Sequence, residues 1–313
     1  MKLLWKLVGS LLLWVTVAAV LVLLVLLPRD TQSHRDGYKD IMSYKFTWTA
    51  YKENIVNYWE GVKEHKSLGI TRYELPVEEE LVHFGWRSAK ILIPALFLSV
   101  LAGVYKGMFD YRRQTGLWRF FGKRMTWLGQ AVPEFILIIF IQTIVFEAGK
   151  RGFLEIDIYG DEKLENLFLP ILFLSMYPAA IIARYTAAAL EEEDSQDYIK
   201  TARSKGIGEK AVLWHHAMRN SWPKLLQQSM PIFMTLLSGM FIVEFMSIYN
   251  GIGYRLVVAL QLKGVISPGQ SLPIETPAVI GFSLLFMALL LIVQWIVAIL
   301  EYVLVPVKRG DGS

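Results

Sequence analysis

The feature that most constrains this chain is a charge-free apolar run, Leu7–Leu27. A helix needs about 20 mostly apolar residues to cross the hydrocarbon core of a bilayer. Further apolar blocks follow along the chain, and a soluble core of this size has no use for so many. We therefore predict an all-α, polytopic membrane protein with six transmembrane helices: Leu7–Leu27, Trp86–Phe109, Met125–Phe146, Leu167–Ala183, Leu225–Val243 and Thr276–Leu300.

Two of these blocks carry further information. The first is too long for a signal peptide, and Leu26-Leu27-Pro28 is not a small-residue cleavage site, so we expect a retained anchor. The fourth contains Pro170 and Pro178, which predict a kinked helix with other helices around it.

Composition narrows the possible functions. The chain of 313 residues has no cysteine, which excludes disulfides, thiol catalysis and cysteine metal sites. Its formal net charge of +4 is too weak to indicate nucleic acid as a partner.

The distribution of lysine and arginine predicts the orientation. Short loops rich in these residues stay in the cytoplasm. The loop between spans two and three is the most basic, and Lys2, Lys6, Lys308 and Arg309 lie at the ends of the chain. We expect both termini and the second and fourth loops in the cytoplasm. We divide the chain into an anchor with its external loop, residues 1–85, and a membrane domain, residues 86–309, that contains a long cytoplasmic loop at about residues 191–224.

The first loop, about Pro28 to His83, is predicted to lie outside the membrane. It is rich in aromatic residues and contains one amphipathic helix. Two interpretations stay open, a helical cap packed on the membrane surface and a docking platform for an external partner. The predicted apolar face of the helix consists of Trp48, Tyr51, Ile55, Trp59 and Val62.

Signatures of catalysis are not found in the sequence. The segment Gly116–Arg124 has five residues between its glycines, where a phosphate-binding loop has four. His215 and His216 are adjacent, so on a helix they point about 100° apart and do not form a metal pair. We predict no catalytic residue, no metal site and no cofactor.

Polar residues inside the predicted spans are candidates for a transport pathway, because polar groups in hydrocarbon are costly. Helix–helix packing is the alternative interpretation. Arg184 and Glu301 lie near a predicted membrane boundary, where snorkelling explains them. The pathway candidates are Glu134, Gln142, Ser175, Gln228, Ser238 and Glu244.

The fourth loop is the most organised polar segment. The acidic run Glu191–Asp194 precedes a predicted helix that is basic at its end, an order that suits the helix dipole. Gly206 then permits the left-handed conformation that ends a helix. A second helix with a partly apolar face follows, Gly208–Arg219. The loop thus consists of two helices joined at a glycine corner. Because the chain shows no catalytic signature, we predict that this loop is a docking element for another protein.

The loop sequence Tyr198–Gly206, YIKTARSKG, followed by His216–Asn220, HAMRN, strongly resembles the cytoplasmic loop of ABC-importer permeases. Lys200-Thr201-Ala202 occupies the place of the glutamate-alanine-alanine triplet in that family. This version is most similar to the dipeptide, oligopeptide and nickel branch. The similarity covers about Trp86–Arg309.

The resemblance implies a type I ABC importer permease fold in a bacterial inner membrane. It also implies a second homologous permease, two cytoplasmic ATPase subunits and an external substrate-binding protein. Peptides are the implied cargo, and nickel or a metal chelate is the alternative. An ion-coupled secondary transporter or channel and a membrane-embedded enzyme or scaffold are rival hypotheses. The residues implied to couple to the ATPases are Thr201, Ala202, Arg203, Lys205, Gly206, Glu209, Val212 and Trp214.

Overall fold

The computed structural model describes residues 2–29, 31–36, 39–44, 46–112, 120–153, 157–260 and 274–304. Helices dominate this part of the chain. A two-stranded antiparallel hairpin in the first loop, β1 (Thr31–Asp36) and β2 (Lys39–Tyr44), was not predicted from the sequence. The α-helices are α1 (Lys2–Val25), α2 (Trp48–His65), α3 (Val77–Arg112), α4 (Met125–Ala131), α5 (Glu134–Lys150), α6 (Glu165–Asp194), α7 (Asp197–Ser204), α8 (Glu209–Ala211), α9 (Met218–Gln227), α10 (Ser229–Met246), α11 (Ile252–Ala259) and α12 (Thr276–Leu304).

The predicted multi-pass, helical membrane architecture is confirmed. Within the described ranges, five helices are long and apolar enough to cross a bilayer, namely α1, α3, α6, α10 and α12. A sixth span results if the segment Phe120–Lys150 is counted as one bent span. It begins with a π-helical turn, Phe120–Arg124, that leads into α4.

The third predicted span, Met125–Phe146, is not one straight helix. α4 and α5 meet at an angle of 102°. Val132 between them has extended backbone angles, φ −85° and ψ 125°. The cause is Pro133, because proline disfavours the helical conformation in the residue before it. Pro133 was a signal for a helix break in the sequence, although the apolar pattern continues on both sides of it.

The fourth span is longer than predicted and runs without interruption through Pro170 and Pro178. Its α6 packs closely on α3 at two glycines that lie four residues apart. A Cβ on Gly103 would stand 2.6 Å from the Cβ of Ile182, and one on Gly107 would stand 2.5 Å from the Cβ of Thr186. This small-xxx-small spacing lets two backbones approach inside a membrane.

The chain divides into two compact units. The first consists of Met1–Leu7, Ala89–Tyr249 and Ile292–Ser313, and the second of Val8–Ser88 and Asn250–Leu291. This division differs from the boundary at residue 85 that we drew from the sequence. In the first unit, Lys6 Nζ lies 3.2 Å from a carboxylate oxygen of Glu301, so the two chain ends are joined by an ion pair.

The predicted external helix is present as α2, in the second unit. The Tyr51 hydroxyl donates to the backbone oxygen of Leu23 (3.0 Å), which fixes the start of α2 beside the end of α1. Tyr51, Ile55 and Val62 of the predicted apolar face are half-buried, whereas Trp48 and Trp59 are exposed. The covered side of α2 is therefore rotated away from these two tryptophans.

The second unit also contains a buried cluster of charges, which we call the triad: Glu80, Arg255 and Glu275. The Arg255 guanidinium donates to Glu80 (2.8 Å) and, through two nitrogens, to both oxygens of Glu275 (2.9 and 2.7 Å). All three side chains are less than a tenth exposed. The remaining oxygen of Glu80 is buried without a hydrogen-bond partner among the described residues.

Candidate functional site

The strongest motif of the sequence forms a two-armed element that we call the elbow, residues 197–227. Its first arm is α7, and its corner is Gly206, with φ +75°. The Gly206 N–H donates to the Arg203 carbonyl (2.9 Å), and the Ile207 N–H donates to the Ala202 carbonyl (3.3 Å). This pair of bonds is the Schellman arrangement that ends helices at a left-handed residue. The predicted glycine corner is confirmed.

The second arm is longer than predicted. It starts at Glu209 and continues as α8, a π-helical turn (Val212–Ala217) and α9. The prediction ended this arm at Arg219. The helix instead passes Pro223 and stops at Gln227, where Gln228 separates it from α10.

A small apolar core joins the two arms to each other and to α6. Ile199 and Ala202 of the first arm belong to one buried cluster with Val212 and Met218 of the second arm and with Leu190 of α6. Ala202 and Val212 are among the residues that the resemblance implies to couple to the ATPases. In this structure they pack inside the chain and hold the elbow together.

Charged hydrogen bonds fix the first arm to α6 and to the start of the second arm. The Arg203 guanidinium donates to Glu209 (2.8 Å) across the corner and to Asp194 (2.5 Å) at the end of α6. The Tyr111 hydroxyl also donates to Asp194 (2.7 Å). Hydrogen bonds to Glu209 and Asp194 raise the pKa of the Arg203 guanidinium above its ordinary value. Arg203 and Glu209, which are among the residues implied to couple to the ATPases, bind each other in this structure.

Lys224 fixes the second arm to α6 in the same way. Its ammonium group lies 2.7 Å from Glu193 and 2.9 Å from Glu192. Burial alone would lower the pKa of Lys224, but the hydrogen bonds to these carboxylates outweigh burial and raise it. The Tyr198 hydroxyl donates to the second oxygen of Glu193.

The acidic run Glu191–Asp194 therefore lies elsewhere than we inferred. It forms the last turn of α6, not the front of the first arm. Carboxylates at a helix C-terminus face the negative end of the helix dipole and repel one another. Cations from other segments offset this cost, namely Lys123 on Glu191, Lys224 on Glu192 and Glu193, and Arg203 on Asp194.

The corner of the elbow is accessible. Lys205, Gly206 and Lys210 are exposed, as is Thr201, whose hydroxyl donates to the Asp197 carbonyl (2.8 Å). Trp214 is 39% exposed and stacks edge-to-face on Tyr105, with 6.0 Å between ring centroids. A cleft of about 450 Å³ lies beside the first arm, lined by Tyr111, Arg112, Asp194, Ile199, Arg203, Glu209, Val212, Leu213 and Ala217.

The pathway candidates divide by their contacts. Gln142 of α5 donates to the Met246 carbonyl of α10 (3.2 Å), which is a contact between helices. The Ser175 hydroxyl donates to the Leu172 carbonyl of its own helix (2.8 Å), and the Ser175 carbonyl accepts from the Ser99 hydroxyl of α3 (3.2 Å). Gln228 lies at the break between α9 and α10. Ser238 is exposed and donates to the Thr235 carbonyl (3.1 Å), and Glu244 is fully buried in α10.

Glu134 differs from the other candidates. Its carboxylate lies over Gly239 of α10, where a Cβ would stand 2.8 Å from one carboxylate oxygen. Within the described ranges, this carboxylate makes no hydrogen bond or ion pair. Because Gly239 has no side chain, the Glu134 carboxylate can occupy the space that a side chain at this position would fill.

Comparison with known proteins decides the family. Residues 95–302 match the family of binding-protein-dependent transport system inner membrane components. The chain belongs to this family. The match begins near Trp86, where the resemblance was drawn, and includes α6, the elbow and α10. A multi-pass membrane protein and a type I ABC importer permease fold agree with this assignment.

Three relatives show how far the similarity extends. The dipeptide transport system permease protein DppB of Lactococcus lactis is 28% identical over 66% of this chain. The oligopeptide transport system permease protein OppB of Escherichia coli is 27% identical over 62%, and a putative peptide transport system permease protein of Brucella abortus is 33% identical over 53%. The chain spans 65%, 61% and 52% of the lengths of these relatives.

Proposed function

We propose that this chain is the transmembrane permease subunit of an ATP-driven importer of di- or oligopeptides. In this proposal it forms the pathway together with a second homologous permease. Two cytoplasmic ATPases drive it, and an external binding protein delivers the cargo. The observation that carries the proposal is the elbow, whose left-handed corner at Gly206 is exposed while both arms are fixed to α6. The names of the three relatives support peptides as the cargo.

The elbow suits a coupling element because its two faces differ. Its inner face is apolar and buried against α6, and its corner exposes Lys205, Gly206 and Lys210. In the proposed mechanism the corner and Trp214 dock on an ATPase. Closure of the ATPase pair on ATP then displaces the corner, and the spans open alternately to each side. Ala202 and Val212 contribute by holding the arms together.

The proposed topology places the elbow and both chain ends in the cytoplasm. The lysine and arginine excess of the second loop and the ends supports this orientation. The alternating spans then place the first loop with α2, and the segment between α10 and α12, on the external side.

For the cargo pathway, Glu134 is the candidate that we retain. An ionisable residue in a membrane segment is a functional candidate when no structural partner explains it. Its carboxylate is of the right charge to attract the terminal ammonium group of a peptide. Gln142 and Ser175, which bind backbone carbonyls of this chain, are better explained by helix packing.

Reconstitution tests the function. The four transport subunits are placed in proteoliposomes with the binding protein outside, and uptake of labelled di- and oligopeptides is measured with and without internal ATP. We expect the wild type to take up peptide only with ATP. We expect the Gly206→Pro variant to assemble with the other subunits as the wild type does but to take up much less peptide. Proline cannot adopt φ +75°, and it removes the N–H that donates to Arg203. Gly9→Ala, a helical glycine with open space around it, is the matched control and keeps uptake.

The remaining outcomes separate the alternatives. Uptake of nickel instead of peptide would change the cargo and leave the coupling role in place. Uptake without ATP or ATPase subunits would indicate an ion-coupled transporter. Unchanged uptake by Gly206→Pro would contradict the coupling role of the elbow.

A further inference from the structure

Among the described residues, the last turn of α6 is the one place where both arms of the elbow are tied by charge. The first arm reaches Asp194 through Arg203, and the second reaches Glu192 and Glu193 through Lys224. Arg203 also crosses the corner to Glu209, so that one guanidinium joins α6, the first arm and the start of the second arm.

The acidic turn has little stability of its own. Four successive carboxylates at the C-terminal end of a helix repel one another and oppose the helix dipole. Without nearby cations the last turn of α6 would fray, and the elbow would be connected to the span by a loose segment. The ion pairs turn an unfavourable helix end into a rigid connection.

The apolar core between the arms adds to this rigidity. Leu190 of α6, the residue directly before the acidic run, is fully buried in the same cluster as Ile199 and Met218. Sliding of either arm along α6 would expose these side chains and separate charge pairs at the same time.

We propose that Arg203 and Lys224 are positioning residues that brace the elbow against the end of α6, so that displacement of the corner moves α6 as a whole. This inference rests on the proposed function. It assigns Arg203 to contacts within this chain and not to the ATPase interface. In this proposal, displacement of the corner moves α6 because the ion pairs of Arg203 and Lys224 prevent the chain from bending between Asp194 and Asp197.

The test compares coupling with assembly in the reconstituted complex. Arg203→Met and Lys224→Met retain the apolar stem of each side chain and remove its charge. We expect both variants to bind the ATPases as the wild type does and to hydrolyse ATP, while cargo molecules moved per ATP fall at least about five-fold in the double variant. Arg203→Lys and Lys224→Arg keep the positive charges, and we expect them to retain most of the wild-type number of cargo molecules moved per ATP.

Arg219→Met is the matched control. Arg219 lies on the same arm as Lys224, is exposed, and makes no ion pair in the described part of the chain. We expect this variant to keep the wild-type ratio, which separates loss of the brace from a general loss of positive charge.

A second measurement does not depend on transport. Spin labels at Ala188 of α6 and Ser204 of the first arm, both exposed, report the distance between the two elements. We expect a narrow distance distribution in the wild type and a broad one in the double variant. An unchanged ratio and a narrow distribution in that variant would overturn the brace, and so would loss of ATPase binding by Arg203→Met. Failure of the wild type to take up any cargo with ATP would instead overturn the proposed function.

Discussion

Two arginines in this chain each join two carboxylates, and they do so under opposite conditions. Arg203 joins Asp194 and Glu209, nine and six residues away, with a third of its side chain exposed. Arg255 joins Glu80 and Glu275, which lie 175 and 20 residues away, with only 3% of its side chain exposed. The first connects neighbouring turns of one loop, and the second connects distant segments of the chain.

The difference shows what each cluster contributes. Exposed ion pairs are screened by water and salt and add little stability, so the elbow network mainly restricts geometry. The triad is desolvated, and removal of one partner leaves a buried charge without compensation. We therefore expect the triad to determine whether the second unit folds, and the elbow network to determine how the folded protein transmits movement.

The largest effect is expected at the triad. Arg255→Met leaves Glu80 buried without a counter-ion and leaves Glu275 with only the partly exposed Arg72, whose Nε lies 3.5 Å away. Removal of one partner of a buried ion pair costs about 3–5 kcal/mol of stability. Thermal unfolding in detergent measures the loss. The triple variant Arg255→Met, Glu80→Leu, Glu275→Leu removes all three charges and is expected to recover most of it. A single variant as stable as the wild type would show that the triad is not desolvated.

Acid provides the next test. Burial alone would raise the pKa of Glu275, but hydrogen bonds from Arg255 and from the Arg72 backbone outweigh it and lower the pKa. The ionised form therefore contributes stability above the usual glutamate range, and the contribution is lost as pH falls below about 4. The unfolding temperature should drop over that range by more in the wild type than in Glu275→Gln. Parallel pH profiles of the two proteins would contradict the assignment.

A smaller effect is expected at the corner of the elbow. Gly206→Ala introduces a side chain where φ is +75° and where no atom lies within 4 Å, so its cost is purely conformational, about 1–2 kcal/mol. Gly206→Asn should cost less, because asparagine tolerates this conformation. Gly61→Ala, in the middle of α2 with open space around it, is the control and should not destabilise. Equal unfolding temperatures for Gly206→Ala and wild type would argue against the left-handed corner.

The smallest effect on stability is expected from the partly exposed ion pairs of the elbow. Lys224→Met should cost about 0.2–1 kcal/mol in low salt, and less as ionic strength rises. Calorimetry at two salt concentrations measures this dependence. Arg255→Met should show nearly the same loss at both concentrations. A Lys224 effect as large as that of Arg255 would remove the distinction between the two clusters.

The sequence predicted the membrane architecture well because each apolar span is a local signal. It also located Gly206, since a positive φ restricts the residue type at that one position. The break at Val132 was less visible, because apolar residues continue on both sides of Pro133. In this case the local conformational rule outweighed the hydrophobic pattern.

Partners that are far apart in the sequence were not predictable. Arg255 lies between the fifth and sixth predicted spans, and its carboxylates come from the start of α3 and from Glu275. The acidic run Glu191–Asp194 suits the front of one helix as well as the end of another, and only its contacts with Lys123, Lys224 and Arg203 show which applies. Charge patterns identify residues that need a counter-ion, but they do not identify the counter-ion.

The central claim is that the elbow receives its movement from a separate ATP-hydrolysing subunit. Cross-linking tests it most directly. A cysteine replacing exposed Lys205 in this cysteine-free chain is paired with a cysteine on the ATPase surface, and disulfide formation is followed in the complex with and without ATP. We predict efficient cross-linking at the corner, at a rate that changes with ATP, and loss of cargo uptake once the link has formed. Absence of cross-linking to any ATPase position, together with normal uptake by the Gly206→Pro variant, would contradict the account.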